Sequence, residues 1–160
     1  MKGNLVIYRW IAGHPVSDDF DQRVPGRWYR MRRANTIWVV TNRGTLRYHY
    51  HEGFCFDGRS GGPLVDIVLP NLGTEDEIIC WLIHDLNAYG TFLGFSDTNE
   101  MLRQMLRKIG KCRAKASLAH WTVSRSSSWY GEPKHGEREY INVFPEQLFQ
   151  VYPYAQVNMV

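Results

Sequence analysis

The chain has 160 residues, 44% of them hydrophobic, and a formal net charge of +3 from 19 basic and 16 acidic side chains. A chain of this length buries roughly two-thirds of its unfolded surface, enough for one core and too little for two full-sized domains. Its charges are scattered apart from Arg27, Arg30, Arg32 and Arg33, a cluster too small to neutralise the several phosphates a nucleic-acid interface requires.

Six Trp, nine Tyr and seven Phe are many for this length, and large aromatics dominate both cores and interfaces, so contact with other protein is expected. Cys55, Cys80 and Cys112 are odd in number and show no CxxC spacing; the expectation is three unpaired, buried thiols. No segment approaches the ~20 apolar residues of a membrane span. The first eleven residues carry charges and no long apolar run, so no membrane insertion and no secretory leader are expected, and synthesis is placed in a cytoplasm.

In chain order, residues 5–11 read as an opening strand and 14–26 as a polar loop marked by Pro and Gly. Residues 36–41 and 45–51, flanking Asn42-Arg43-Gly44, predict a β-hairpin. Period two puts Leu46, Tyr48 and Tyr50 on one face of its second arm and Arg47, His49 and His51 on the other. Residues 53–56 remain extended, and the glycines and proline of 57–63 demand a loop.

A helix follows from about Glu75, with Thr74 as its N-cap and Glu75, Asp76 and Glu77 at its positive end. Its segment 78–86 is apolar on nearly every side, which predicts a central, buried helix. A second helix, 98–109, has Asp97 and Glu100 in capping-box spacing, an apolar stripe of Met101, Leu102, Met105, Leu106 and Ile109, and Gly110 as its stop. A third, 111–124, carries Cys112, Ala116, Ala119 and Val123 at helical spacing, small enough to pack closely on the central helix. Residues 125–136 form a polar loop and 140–144 a last strand. The apolar tail 151–160 contains Pro153 and either packs back or docks on a partner. Together these elements predict a single α+β domain over 1–160, with an N-terminal β-hairpin or small antiparallel sheet packed on a central buried helix plus two further helices.

Chemistry concentrates at His84-Asp85, two titratable groups inside a run that must be buried. Burying a charge without a partner costs several kcal/mol, so each needs a hydrogen bond or an opposite charge. Asp57 and Arg59, on the preceding glycine loop, are the nearest suppliers in sequence. One reading pairs Arg59 with Asp85, or Asp57 with His84, as a buried polar staple. The other makes Asp57, His84 and Asp85 an acid–base set or the ligands of a divalent metal, the one cofactor such residues would hold.

His49 and His51, two apart on a strand, form a second candidate: they share a metal, or they belong to the polar solvent face of the hairpin. The glycines at 58, 61 and 62 match neither the phosphate-loop nor the dinucleotide spacing. Pairing of Cys55 with His84 or His51 as nucleophile and base has only the residue types in its favour.

The order of motifs over residues 45–129 resembles a family of small proteins from tailed bacteriophages and prophages known as domain of unknown function 1353. Its Gly-Phe-x-x-Asp-Gly-x-Ser is matched by Gly53, Phe54, Asp57, Gly58 and Ser60, and its helical Ile-His-Asp by Ile83, His84 and Asp85. The amphipathic helix that follows is matched by 96–110. Where the family continues with Ile-Pro after the Ser, this chain has Gly61-Gly62-Pro63. Carry-over is confined to Asp57, Ser60, His84 and Asp85. The resemblance implies phage origin, and with it two expectations. The first is a small virion or virion-assembly component in the tail, baseplate or neck, held among other phage structural proteins or self-associated, moving from host cytoplasm to virion. The second is a phage hydrolase using Asp57, Ser60, His84 and Asp85, with or without a metal.

Overall fold

The computed structural model describes residues 3–16, 20–21, 29–56, 74–90, 93–124, 138–141 and 153–159. In chain order its elements are β1 (Ile7–Ala12), β2 (Phe20–Asp21), β3 (Tyr29–Met31), β4 (Asn35–Thr41), β5 (Gly44–Tyr50), β6 (Cys55–Phe56), α1 (Glu75–Gly90), α2 (Phe95–Lys108), α3 (Arg113–Ser124), β7 (Arg138–Ile141) and β8 (Pro153–Met159). The architecture is α+β, as the sequence predicts.

Alternation of burial along β4 and β5 follows from their period-two sequences. Ile37 and Val39 face inward opposite Tyr48 and Leu46, and all four are fully buried. The connecting turn is the two residues Asn42 and Arg43. Thr41 Oγ1 accepts from Arg43 N at 3.1 Å and donates to the Gly44 carbonyl at 2.7 Å. Arg43 also reaches Asp97 at the start of α2, at 2.6 Å, fixing the turn against that helix.

β1, β4, β5, β8 and β7 form one antiparallel sheet in that order. The apolar tail is thus the interior strand β8, with Val157 opposite Tyr48 on one side and Arg138 on the other. Of the two fates open to this tail, it takes the first and packs back. β2, β3 and β6 form a separate three-stranded sheet. At two or three residues each, these strands fall below the length at which period two shows, and β2 lies within the stretch expected to be loop.

α1 is buried at every position from Glu77 to Leu86 and at Asn87, confirming the central helix. Glu77 N donates to Thr74 Oγ1 at 3.3 Å, so Thr74 caps it. α2 buries Met101, Leu102, Met105 and Leu106. It ends where Gly110, at φ 95°, lets Lys111 N reach the Leu106 carbonyl at 3.0 Å and Gly110 N reach that of Arg107 at 3.0 Å. Its start departs from the capping box: the helix begins earlier, with Gly94 as N-cap and no side chain to cap it, and Asp97 and Glu100, inside the helix, pair with Arg43 and Arg103. α3 packs mainly on α2 through Ala116, Ala119 and Val123, instead of on the central helix. The inner face of the five-stranded sheet, α1 and the stripes of α2 and α3 close one continuous hydrophobic core around Trp81. Among the described residues no helix is long and apolar enough to cross a membrane.

Candidate functional site

The fold carries His84 and Asp85 into the seam between α1 and α2, with only 7% and 3% of their surface exposed. His84 Nδ1 lies 3.5 Å from Asp85 Oδ1, and its Nε2 lies 3.1 Å from Asn99 Oδ1 on α2. An imidazole protonated on Nε2 donates to Asn99, whereas the Nδ1–Asp85 separation is an ion-pair distance beyond ordinary hydrogen-bond reach. Trp81 walls this group, its ring edge-on to His84 with centroids 6.3 Å apart.

One turn further along α1, Asn87 Oδ1 accepts from Tyr48 Oη at 3.0 Å, and Asn87 Nδ2 lies 3.4 Å from Met101 Sδ. Burial pushes the Tyr48 phenol far above its ordinary range, only partly offset by the bond to Asn87, so it stays a neutral donor at physiological pH. Trp81 Nε1, Thr98 Oγ1 and Asn99 Nδ2 are also buried in this region, with no hydrogen-bond partner among the described residues. Each such group left unsatisfied costs about 1–3 kcal/mol.

Of the residues singled out in the sequence, His84 and Asp85 lie buried side by side on α1. Asp57 and Ser60, with Arg59, lie outside the described residues. The partner found for the imidazole is Asn99, which the sequence reading passed over. Its signal was present: a helix-start amide on the same turn as buried Thr98 and Met101. Among the described residues no group of three or more His, Cys, Asp or Glu could hold a metal ion. Cys80 is buried, and that burial, followed by the nearby Glu77 and Asp76 carboxylates, raises its thiol well above the ordinary value. Cys112 is exposed, against the expectation of burial, because it sits just before α3, outside that helix's buried stripe. The Cys55 side chain lies outside the described set.

On the outer face of the sheet, the His49 and His51 rings stand 4.7 Å apart, edge to face, and His49 Nδ1 is 2.8 Å from Thr36 Oγ1. Partial burial, then the neighbouring His51 and Arg47, lower the His49 pKa from 6.5.

The third feature is the edge of β1, the terminal strand of its sheet. Its entry is covered: Gln104 Nε2 donates to the carbonyl of Leu5, just before the strand, at 2.7 Å, and Gln104 Oε1 accepts from Ile7 N, its first residue, at 2.8 Å. A bulge between Ile7 and Arg9 then shifts the register. Beyond it Gly13 N donates to the Thr36 carbonyl at 2.8 Å. The antiparallel alternation therefore turns the backbone N–H and C=O of Trp10 and Ala12 away from β4, toward the outside of the sheet. Tyr8 and Ile11 beside them are 57% and 48% exposed.

No family model matches the chain, and neither a curated protein nor a solved structure matches it.

Proposed function

We propose that this protein is a bacteriophage virion or virion-assembly component, in the tail, baseplate or neck, and that it acts by contact with other phage structural proteins or with itself. The observation that carries this reading is the edge of β1. There, outward-facing backbone groups of Trp10 and Ala12 lie beside exposed Tyr8 and Ile11. Such an edge accepts an added strand from another chain. The phage setting comes from the motif resemblance over residues 45–129. On this reading His84, Asp85 and Asn99 are a polar staple holding α2 to α1.

A hydrolase using Asp57, Ser60, His84 and Asp85, with or without a metal, is the second reading. It is favoured by the burial of an imidazole and a carboxylate side by side, with His84 Nδ1 3.5 Å from Asp85 Oδ1.

Mass spectrometry of purified particles and of assembly intermediates, from the phage or prophage encoding the chain, separates the two. The expected result is the protein in particles or in a stable assembly intermediate. Its exclusion from both would overturn the structural reading. Particle assembly and infectivity that both survive Asp85→Asn, with the fold retained, count against a catalytic requirement for this pair.

A further inference from the structure

We propose that His49 and His51 form a chelating site for one divalent transition-metal ion of the zinc, nickel and copper class on the outer face of the five-stranded sheet. The proposal is independent of the phage reading and of the His84 seam.

Residues two apart on a strand project to the same side, and on β5 this brings the two imidazoles to a centroid separation of 4.7 Å. Two imidazoles bound through nitrogen to one ion at about 2.1 Å place their ring centres about 4.5 Å apart at right-angle coordination and about 5.2 Å apart at tetrahedral coordination. The observed spacing falls inside that interval, and from the edge-to-face packing at an interplanar angle of 85° the exposed His51 ring has to turn for both Nε2 lone pairs to meet at one ion.

A second observation concerns the other ring nitrogen. His49 Nδ1 lies 2.8 Å from Thr36 Oγ1, a hydroxyl held on the neighbouring strand directly opposite His49. With Nδ1–H donating to that hydroxyl, the ring lone pair resides on Nε2, and the hydroxyl fixes the rotation of the ring. This is the outer-shell arrangement that orients metal-binding histidines. His51 is exposed, which leaves room for water in the remaining coordination positions.

The donor set selects the class of ion. Imidazole nitrogens suit zinc, nickel and copper, whereas magnesium and calcium demand several oxygen ligands. Arg47, two residues before His49 on the same face, adds positive charge that opposes any cation, so binding there depends on the imidazole–metal bonds.

The test uses the full chain without an affinity tag, stripped with a chelator and titrated with Zn2+ by isothermal calorimetry at neutral pH. The expected result is one ion per chain, with Mg2+ giving no binding. His49→Gln and His51→Gln should each weaken Zn2+ binding by roughly tenfold or more. Thr36→Val, which keeps both imidazoles, should weaken it by a smaller factor through the lost orienting hydroxyl. His14→Gln and His120→Gln should leave it unchanged, and far-ultraviolet circular dichroism checks that each variant keeps its fold. Failure of the wild-type chain to bind Zn2+ at millimolar concentration overturns the proposal, as does undiminished binding by the His49→Gln/His51→Gln double variant.

Discussion

His84 and Asn99 face each other across the seam between α1 and α2, with Nε2 3.1 Å from Oδ1, so two helices that meet through apolar side chains also share a polar contact in their interior. Replacing Asn99, 2% exposed, with the similarly sized Leu leaves the His84 nitrogen facing a methyl group. Stranding the His84 nitrogen costs about 1–3 kcal/mol, and removal of the buried Asn99 Nδ2, unbonded among the described residues, offsets part of it, so the expected net loss is about 1 kcal/mol, read as a lower urea midpoint with an unchanged denaturant slope. An unchanged midpoint would show that the seam does not depend on this contact.

Much of the fold was legible because its signals are local. The hairpin was readable from the alternation of Leu46, Tyr48 and Tyr50 with Arg47 and His49, and the central helix from an apolar run bounded by Thr74. What escaped depends on partners distant in sequence. Pro153 opens β8, a position strands tolerate, but the partner that makes it a strand is β5, so the tail's composition could show only that it must be covered. Asp97 has the spacing of a cap and is claimed by Arg43, 54 residues away. The site divides the same way: burial of His84 and Asp85 followed from the run that contains them, while Asn99 becomes their neighbour only once α2 folds back on α1.

The hairpin turn and the last strand meet at Gly44. Its φ of 124° is one that L side chains rarely adopt, and a Cβ there would lie 2.9 Å from Met159 Sδ. Gly44→Ala should therefore destabilise the domain by more than the ordinary Gly-to-Ala difference, on the order of 1–3 kcal/mol. Adding Met159→Ala should recover only the part due to crowding. Chemical denaturation of the two variants checks this, and complete recovery in the double variant would mean that backbone strain contributes nothing.

Thiol reactivity should divide Cys112 from Cys80. The thiolate is the reactive species; Cys112 is exposed, whereas burial and the adjacent Glu77 and Asp76 raise the Cys80 thiol well above its ordinary value. A brief iodoacetamide pulse on the native chain followed by peptide mapping should find Cys112 modified and Cys80 unmodified. Addition of urea should abolish the difference. Labelling of Cys80 in the native state would contradict its place in the core.

Gln104 substitutes for a strand neighbour at the entry to β1 by bonding both the Leu5 carbonyl and Ile7 N. Gln104→Ala strands these two backbone groups at the sheet edge, at a cost of about 1 kcal/mol. The faster amide exchange that should follow at Ile7, measured by NMR, distinguishes this local opening from general destabilisation, which would speed exchange at Val39 and Leu46 as well.

His49 provides a pH dependence of defined sign. In the folded chain partial burial, then His51 and Arg47, hold its pKa below the 6.5 of an ordinary histidine, so between those two values the unfolded chain binds more proton than the folded one. Stability linked to this group is therefore present above pH 6.5 and is lost as pH falls through 6.5 toward the lowered value. In the presence of a chelator, the urea midpoint of the wild-type chain should fall more between pH 7.5 and pH 5.5, a window of roughly one unit on either side of the ordinary histidine value, than that of His49→Gln. Arg47→Gln, which removes a positive charge from the same face, should raise the His49 pKa in an NMR titration. A His49 resonance titrating above 6.5, or a pH response identical in wild type and His49→Gln, would refute this account of the outer face.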